Sequence, residues 1–535
     1  MNARPGKEAI FEQFLADGVT RMFGNPGTVE QGFLDVLEQV RGFEYMLALH
    51  EGVAVGIADG YARASGGPAL VQLHTGVGLG NGVGMLYQAK RGHSPLVVIA
   101  GDAGVRYDAM DSQMAVDLVE MARPVTKYAT RVTHPSSVLR VLRRAVKVAM
   151  TPPRGPVFVA LPMDVLDELT SEPVVPSSVP TRAVLPVAAE LERAAALLAD
   201  ARNPLILMGD GVSVSGGQAQ LARLAELLDA PVWGLDNSEV NMDATHPLYR
   251  GQLGHMFGEV SAAAVAEADV VAVVGTYLFP EVFPSLASPF RADAKIVHID
   301  LDDWEMAKNF PVDVALVADP APTLAALGDL LESRGLTRSA ADPVPIPATT
   351  ADSPLMELFA AELRRQAGPA GVVLFDEALT ASPPLVRQLP PTRPGDYFLT
   401  RGGSLGIGIP GAIGAKLARP EAHVVGFTGD GGSMYTIQAL WTAARYGVAA
   451  KFVICNNQRY QLLDLNIEQY WRERSIASHD HPAGFDLSSP GIGFVELARS
   501  LGVEAVRVDK PDQVEAAIRR MLEHPGPFLV DLATD

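Results

Sequence analysis

An aspartate and an asparagine stand directly after two apolar runs in the C-terminal part of the chain. Asp430 follows the run at 423–427, and Asn457, 27 residues later, follows the run at 451–455. Oxygens of a carboxylate and of a side-chain amide are hard ligands that suit Mg²⁺ or Ca²⁺. The residues that let backbone N–H groups approach a phosphate come next: Gly431, Gly432 and Ser433. The pattern indicates a metal–diphosphate site, and the alternative is a strand-to-helix turn capped by an aspartate.

A carboxylate and a histidine in the N-terminal part are further candidates for chemistry. Glu51 is embedded among small and apolar residues at 47–56, where a carboxylate is rare unless it is paired or functional. A surface glutamate at the start of a helix is the alternative interpretation. His74 comes just before four alternating glycines, whose lack of a side chain lets a cofactor approach the backbone. A flexible structural turn is the alternative for that glycine segment.

Three other polar signals are less specific. Thr28 follows a Gly-Asn-Pro-Gly turn and either caps a helix or points into a ligand cleft. Asp210 and Asn237 repeat the spacing of 27 residues without the second glycine and the paired asparagine, so spacing alone does not identify a site. The His-Asp-His segment at 479–481 resembles a metal pair, but its Ser-, Pro- and Gly-rich surroundings favour a solvated or lid loop.

Short apolar runs that alternate with amphipathic stretches must position these residues. The runs at 95–101, 270–275 and 451–455 are typical of parallel strands that are buried on both faces. Helical stretches, such as 218–229 and 514–524, lie between the runs. This alternation predicts an α/β protein of doubly wound parallel sheets, with ligands outside the carboxyl ends of the strands.

Two proline-rich stretches divide the chain into three parts. They lie at 171–186 and 337–354, and such stretches usually cross a surface between domains because proline cannot donate a backbone hydrogen bond. We therefore expect three domains, at 1–170, 185–335 and 350–535.

The composition excludes several classes of protein. The 535 residues carry a formal net charge of −19, which argues against a nucleic-acid partner because phosphate binding requires a basic surface. The one cysteine, Cys455, leaves no intrachain disulfide. There is no uninterrupted apolar stretch of about 18 residues, so we expect no membrane partner and a cytoplasmic location.

Three motifs together resemble the thiamine-diphosphate-dependent family of 2-oxo acid decarboxylases and acetohydroxyacid synthases. They are the Gly-Asp-Gly…Asn-Asn pattern at 429–457, the Gly-Asn-Pro-Gly turn at 24–27 and the His-Glu…Ala-Asp-Gly-Tyr-Ala-Arg segment at 50–63. Within the family, the motifs are most similar to those of the benzoylformate decarboxylases. The resemblance covers all three parts of the chain. It implies a pyrimidine-binding domain, a central Rossmann-like domain and a diphosphate-binding domain, in that order.

The resemblance also implies a role for each candidate residue. Mg²⁺ would be ligated by Asp430, Asn457 and the backbone carbonyl of Arg459. Glu51 would hydrogen-bond the pyrimidine ring and activate the cofactor, and Leu405 would hold the cofactor in its V shape. The other implied contacts are, for the cofactor, Thr380, Gly403, Gly431, Gly432 and Ser433 and, for the substrate, His74 and Thr28.

Two departures from the benzoylformate decarboxylase pattern keep two activities open. The central part has no histidine at 275–282, where those enzymes carry one, and Gln113 matches a glutamine that carboligating relatives place over the cofactor. The first hypothesis is decarboxylation of a 2-oxo acid with an aryl or bulky apolar, benzoylformate-like substituent. The alternative is a carboligase or lyase of the acetolactate synthase or benzaldehyde lyase type.

The resemblance finally implies an assembly and a cofactor set. The family's cofactor lies between subunits, which implies a homodimer or homotetramer with active sites at the interface. Thiamine diphosphate and Mg²⁺ are the implied cofactors, and the central part carries no convincing flavin pattern.

Overall fold

The structure is a computed structural model that describes residues 3–235, 237–254, 256, 258–339 and 342–534. The chain divides into two compact units. The first unit comprises Met1–Pro180, Ala351–Pro384 and Thr400–Asp535, and the second comprises Thr181–Thr350 and Leu385–Leu399. Among the described residues, no helix has the length and apolar character needed to span a membrane.

The N-terminal part forms a six-stranded parallel sheet and a short antiparallel pair. Its strands are β1 (Arg4–Pro5), β2 (Arg21–Gly24), β3 (Glu44–Leu47), β4 (Ala69–Leu73), β5 (Leu96–Asp102), β6 (Tyr128–Arg131), β7 (Val157–Pro162) and β8 (Leu169–Thr170). Its helices are α1 (Gly6–Ala16), α2 (Gln31–Leu37), α3 (Glu51–Ser65), α4 (Thr75–Arg91), α5 (Leu118–Ala122), α6 (Val138–Met150) and α7 (Met163–Asp167). β1 pairs with β8, and the sheet order is β3-β2-β4-β5-β7-β6.

The central part forms a second parallel sheet. Its strands are β9 (Pro204–Met208), β10 (Val232–Leu235), β11 (Tyr249–Leu253), β12 (Val270–Val274), β13 (Lys295–Asp300) and β14 (Val314–Val317). Its helices are α8 (Ala188–Ala199), α9 (Gly211–Ser215), α10 (Gln218–Leu228), α11 (Glu259–Val265) and α12 (Pro320–Ser333). The strand order β11-β10-β9-β12-β13-β14 is that of a Rossmann sheet.

The C-terminal part forms the third sheet. Its strands are β15 (Val373–Glu377), β16 (Tyr397–Leu399), β17 (Val424–Gly429), β18 (Lys451–Asn456), β19 (Glu504–Val508) and β20 (Phe528–Ala533). Its helices are α13 (Leu355–Ala367), α14 (Ser382–Gln388), α15 (Gly408–Ala418), α16 (Asp430–Ser433), α17 (Ala439–Arg445), α18 (Gln461–Glu473), α19 (Phe494–Ser500) and α20 (Val514–Glu523). The strand order is β16-β15-β17-β18-β20-β19.

The first and third sheets have the same strand order. Counted within each sheet, both read 2-1-3-4-6-5, so the chain changes direction between the first and third strands. A ligand crevice opens at the carboxyl ends of the two strands that flank such a switch point. In the first sheet these strands are β2 and β4, and in the third sheet they are β15 and β17. Candidate residues follow all four strands: Thr28, His74, Thr380 and Asp430.

The strands confirm the predicted fold class of three α/β parallel-sheet domains. Every residue of β4 and of β12 is buried, because helices cover both faces of each sheet. After β17 the chain forms the single turn α16, and the next helix, α17, begins at Ala439. Between these helices, the hydroxyl of Thr436 donates to the carbonyl oxygen of Gly406 at 2.5 Å.

Glycines let α3 and α15 cross at very short distance within the first unit. A Cβ on Gly60 would lie 2.0 Å from the carbonyl oxygen of Gly411, and a Cβ on Gly414 would lie 2.0 Å from that of Ile57. Only residues without a side chain permit this approach of the two backbones. The crossing therefore fixes the N-terminal sheet to the C-terminal sheet.

Candidate active site

Glu51 is a buried carboxylate at the first position of α3, with 5% of its surface exposed. The ring of the preceding His50 caps the helix by accepting a backbone N–H bond at 3.0 Å. Side-chain amides approach both carboxylate oxygens, from Asn25 to Oε1 at 3.4 Å and from Asn81 to Oε2 at 3.0 Å. A Cβ on Gly78 would lie 2.9 Å from Oε1, so this glycine makes room for the carboxylate. Glu51 is thus enclosed and oriented rather than exposed at a helix start.

His74 forms a close pair with Glu30, a residue that the sequence reasoning missed. Nδ1 of His74 lies 2.7 Å from Oε2 of Glu30, whose Oε1 accepts the N–H of Gly101 at 2.8 Å. Burial raises the pKa of the Glu30 carboxyl, against the opposing influence of His74. A Cβ on Gly27 would lie 1.9 Å from Nδ1 of His74, so the turn needs glycine there. The sequence offered one indication of this pair: Glu30 lies three residues after Gly27.

Thr28 and Gln113 are both exposed in the chain. Thr28 is the first residue of a 3₁₀ turn and not its cap, since Gly27 holds the cap position. Gln113 lies between a 3₁₀ turn and α5, in a segment that contacts α4. A Cβ on Gly76 would lie 2.5 Å from Cγ1 of Val116, which places this segment against the first turn of α4, next to His74.

The segment that begins with His74 is helical and not the glycine loop of the sequence prediction. α4 includes the glycines at positions 76, 78, 80, 82 and 84. Glycine costs up to about 1 kcal/mol per residue in a helix, so packing must stabilise this one. Gly76, Gly78 and Gly82 each lie against a side chain of another element, which supplies that packing.

Asp430 and Asn457 follow the neighbouring strands β17 and β18. Asp430 is only 4% exposed, and its carboxylate accepts the N–H groups of Gln458 at 2.5 Å and Gly431 at 2.7 Å. Burial raises the pKa of Asp430, and these backbone donors oppose the rise. Oδ1 of Asn457 accepts the N–H of Arg459 at 3.0 Å. The structure therefore brings Asp430, Asn457 and the backbone of Arg459 together at one edge of the C-terminal sheet.

The three small residues after Asp430 form the buried single turn α16. The hydroxyl of Ser433 donates to the carbonyl oxygen of Asp430 at 2.7 Å and closes the turn. A Cβ on Gly431 would lie 2.3 Å from the ring of Tyr460, so a side chain has no room there. Gly432 is likewise buried.

Glu377, which the sequence reasoning also missed, anchors the backbone next to the candidate Leu405. Thr380 lies in a 3₁₀ turn after β15, and Gly403 and Leu405 lie in the segment that leads into α15. Glu377 is fully buried and accepts the backbone N–H groups of residues 406–408 at 2.6–3.2 Å, together with the hydroxyl of Thr428 at 2.9 Å. Burial raises its pKa, against these four hydrogen bonds. The buried carboxylate thus anchors the backbone beside Leu405.

Backbone strain occurs beside the candidate residues. Of the eight non-glycine residues with positive φ in the described part of the chain, four lie near candidates: Thr75 (39°), Asp111 (45°), Leu379 (52°) and Gln458 (59°). Thr75 adjoins His74, and Asp111 lies two residues before Gln113. Leu379 adjoins Thr380, and Gln458 adjoins Asn457. Such conformations cost about 1–3 kcal/mol, persist only where the surroundings enforce them, and concentrate at ligand-binding sites.

Asp210 and Asn237, which repeat the spacing of Asp430 and Asn457 in the central part, have a structural role. The carboxylate of Asp210 accepts the N–H groups of Ser238 and Glu239 at 2.9–3.1 Å and the amide of Asn241 at 2.9 Å. The amide of Asn241 also donates to the side chain of Asn237. These hydrogen bonds hold the loop after β10, so the Asp210 carboxylate stabilises the fold.

The histidines at 479–481 are bound to aromatic and acidic side chains near α18. His481 lies 2.8 Å from Asp464 and 3.2 Å from Glu468, and the ring of His479 lies 4.4 Å from that of Trp471. Across the described part of the chain, no group of three His, Cys, Asp or Glu residues is arranged to hold a metal.

The loop around Asp430 nevertheless fits Mg²⁺ with a diphosphate group. Asp430 offers a buried carboxylate, Asn457 an amide oxygen and Arg459 a backbone carbonyl, which together are the oxygen donors that Mg²⁺ accepts beside phosphate oxygens. The N–H of Gly431 already donates to Asp430, whereas Gly432 has no side chain that would keep a phosphate away from the backbone of this turn.

Three family models match successive parts of the chain. They describe the thiamine pyrophosphate enzyme N-terminal TPP binding domain at residues 4–121, the central domain at 191–327 and the C-terminal TPP binding domain at 382–532.

Curated proteins and solved structures are similar over nearly the whole chain. A benzoylformate decarboxylase of Pseudomonas aeruginosa is 33% identical over 98% of both chains. A probable acetolactate synthase large subunit of Methanocaldococcus jannaschii is 30% identical over 99% of this chain and 92% of the relative. The thiamine diphosphate-dependent 4-hydroxybenzoylformate decarboxylase of Rhodococcus jostii RHA1 superposes with a TM-score of 0.89, at 30% identity and 99% coverage of both chains.

Proposed function

The chain belongs to the thiamine pyrophosphate enzyme family, and on that premise we propose that it decarboxylates a 2-oxo acid without oxidation. The proposed substrate carries an aryl or bulky apolar group, as benzoylformate does. Thiamine diphosphate and Mg²⁺ are its proposed cofactors. When bound, thiamine diphosphate supplies a sink for the electrons that are released when the bond between the 2-oxo carbon and the carboxyl carbon breaks.

The buried carboxylate of Glu51 carries this proposal. It lies at the start of α3 with an amide donor directed at each oxygen, so its orientation is defined before any ligand binds. A buried, oriented carboxylate exchanges a proton with a ring nitrogen without rearranging solvent. Glu51 therefore holds and releases, through its carboxylate oxygens, the proton that activates the cofactor.

Residues of the C-terminal part would hold the charged end of the cofactor. Asp430, Asn457 and the backbone carbonyl of Arg459 would ligate Mg²⁺, since the ends of two neighbouring strands supply these three oxygen donors. Backbone N–H groups would receive the diphosphate, and Leu405 would support the bent cofactor. The residues proposed to contact the cofactor there are Thr380, Gly403, Gly431, Gly432 and Ser433.

His74 and Thr28 would act on the substrate. The carboxylate of Glu30 accepts from Nδ1 of His74, and we assign the ring proton to that nitrogen, which leaves Nε2 for the substrate. Nε2 would contact the substrate carboxylate or the developing alkoxide, with the hydroxyl of Thr28 as a further donor. The side chains of Leu462 and Leu463, just after the metal loop, would contact an apolar substituent.

Carboligation is the second candidate function. Gln113 lies in the segment that packs against Gly76 at the start of α4, beside the substrate-facing His74. A probable acetolactate synthase large subunit also occurs among the relatives, at 30% identity. These observations favour a role for Gln113 in placing a second carbonyl compound on the cofactor.

We further propose a homodimer or homotetramer in which two copies complete each site. The hydrogen bonds of Glu51 and His74 run to residues of the N-terminal part, and those of Asp430 and Asn457 run to residues of the C-terminal part. Each half of the site is therefore built independently within one chain.

Product analysis separates the two activities. Protein loaded with thiamine diphosphate and Mg²⁺ is incubated separately with benzoylformate and with pyruvate. Benzaldehyde and CO₂ from benzoylformate are expected, whereas acetolactate from pyruvate would support carboligation instead. Turnover of neither acid would contradict both assignments.

Cofactor activation is tested independently of the substrate. Hydrogen–deuterium exchange at C2 of bound thiamine diphosphate is expected to slow about 100-fold in Glu51→Gln, because general acid–base catalysis is lost. The control is Glu38→Gln, which removes an exposed carboxylate of the same domain. Wild-type exchange in Glu51→Gln would exclude the role assigned to Glu51.

A further inference from the structure

One face of α4 lies against the start of α3. Positions 78, 81 and 82 share this face, because residues three and four apart are neighbours on a helix. A Cβ on Gly78 would lie 2.9 Å from Oε1 of Glu51, and a Cβ on Gly82 would lie 3.5 Å from Cγ2 of Val55. Between these two glycines, Asn81 presents a polar side chain to Glu51.

Asn81 constrains the carboxylate more strongly than Asn25 does. Nδ2 of Asn81 donates to Oε2 of Glu51 at 3.0 Å, which is a normal hydrogen-bond length. Asn25 reaches Oε1 only at 3.4 Å. The backbone of Asn81 is also close to α3, since a Cβ on Gly52 would lie 3.6 Å from its carbonyl oxygen.

The two partners differ in exposure. Glu51 is 5% exposed, whereas Asn81 is an exposed residue of α4. The Asn81 amide therefore reaches the buried carboxylate from the open side of the fold. An amide N–H in this position stabilises the charged carboxylate and limits its rotation, because the bond is directional.

We infer that Asn81 is a positioning residue that orients Glu51 and favours its ionised form. The inference rests on the proposed function, because it concerns how Glu51 is presented to the cofactor. Loss of the amide donor leaves Oε2 without this partner, so the carboxylate becomes free to rotate and easier to protonate.

Several ionisable groups lie around Glu51. His50 directly precedes Glu51 in the chain. His74 is also close, since a Cβ on Gly78 would lie 3.1 Å from Cβ of His74 and 2.9 Å from Oε1 of Glu51. Glu30 pairs with His74, and burial raises the pKa of Tyr45, with smaller contributions from Glu30 and Glu51. All of these groups remain in Asn81 variants, so a change in Glu51 ionisation results from replacing the Asn81 amide.

Ionisation of Glu51 is measured first in the full chain without cofactor. Infrared spectra of each variant are recorded from pH 4 to 9, and the spectrum of the same variant carrying Glu51→Gln is subtracted. Asn81→Asp is expected to raise the protonation midpoint by about one pH unit or more, because a second carboxylate faces Oε2. Asn81→Leu, which only removes the donor, is expected to give a smaller rise.

Matched controls change an exposed amide elsewhere in the same domain. Gln39→Glu and Gln39→Leu alter charge and polarity without touching α4, and both are expected to keep the wild-type midpoint. A Glu51 midpoint that is the same in Asn81→Asp, Asn81→Leu and the wild type overturns the inference. Thermal unfolding of each variant shows whether it is folded, and a role confined to folding would lower Tm without moving the midpoint.

Cofactor exchange provides the second measurement. C2 exchange in Asn81→Leu is expected to fall about tenfold, with the Kd of thiamine diphosphate changed by less than about threefold. If Glu51→Gln left exchange at the wild-type rate, the proposed function would fail. The infrared titration would still decide whether Asn81 controls Glu51, so the two failures are distinguishable.

Discussion

Glu30 restricts what His74 can do, because it occupies one of the two ring nitrogens. The carboxylate is fully buried, and its second oxygen is held by the N–H of Gly101 at 2.8 Å. An acceptor fixed in this way favours a proton on Nδ1 and leaves Nε2 of His74 available. The pair therefore forms one unit, in which the buried acid orients the imidazole that we propose faces the substrate.

Replacing Glu30 by Gln tests this unit. The amide of Gln would donate toward Nδ1 and favour the opposite tautomer, so we expect kcat/KM to fall about 100-fold with little change in KM. His74→Ala combined with Glu30→Gln is expected to be no worse than His74→Ala alone, because the two residues act together. Steady-state kinetics of the four proteins, with Glu38→Gln as control, checks the prediction. Additive losses would show that Glu30 acts independently of His74.

Individual site residues differed in how far the sequence could predict them. Asp430 and Asn457 follow recognisable apolar runs, and parallel strands bring their carboxyl ends to one edge, so their proximity follows from local pattern. Glu30 and Glu377 contact residues far away in the chain, at Gly101 and at 406–408. No local pattern reports such partners, because they depend on how the elements pack.

Helices illustrate the same limit at the level of whole elements. The glycine-rich segment after His74 resembles a loop because glycine has a low intrinsic helix propensity. It is helical because its glycines allow close contacts, at Gly76 with Val116 and at Gly78 with Glu51. Strands such as β12 were predictable, since a short run made of four valines and one alanine favours a buried strand over a helix.

The crossing of α3 and α15 predicts a large effect of one methyl group. In Gly60→Ala the new Cβ would lie 2.0 Å from the carbonyl oxygen of Gly411, and backbone atoms cannot move aside cheaply. We expect a loss of about 3 kcal/mol in the free energy of unfolding, because overpacking at a helix crossing forces the helices apart.

A control on the same domain separates this effect from the general cost of replacing glycine. In Gly67→Ala the nearest atom would be Oγ of Ser65 at 3.7 Å, which is an ordinary contact. We expect a change within about 0.5 kcal/mol there. Urea unfolding of both variants, followed by circular dichroism, measures the difference. Equal stability of Gly60→Ala and Gly67→Ala would show that the crossing tolerates separation.

The whole molecule contains one architectural plan twice. The first and third sheets share the strand order 2-1-3-4-6-5, and each has candidate residues at its switch point. The sequence predicted parallel sheets but not this order, because strand order depends on pairing between distant segments. One switch point carries the candidates Thr28 and His74, and the other carries Thr380 and Asp430. The two crevices thus differ in chemistry, and an activity that needs both must combine an N-terminal with a C-terminal part.

Subunit complementation tests whether the two parts come from different copies. Glu51→Gln and Asp430→Asn are each expected to abolish activity, because one removes the proposed activating acid and the other a proposed metal ligand. In a hybrid dimer of the two variants, one site would carry both substitutions and the other site neither. Random mixing makes about half of the dimers hybrid, each with one intact site of two, so about a quarter of wild-type activity should return.

The assay refolds or co-expresses the two variants together and measures activity per chain. A site contained within one chain would remain inactive in every hybrid, since each chain carries one lesion. Glu51→Gln mixed with Glu51→Ala is the matched control, because both lesions affect the same half-site and no combination restores it. Recovery in the first mixture but not in the second would place Glu51 and Asp430 of each active site on different copies. Equal inactivity of both mixtures would contradict the proposed interface site while leaving the role of Glu51 in cofactor activation to its own exchange measurement.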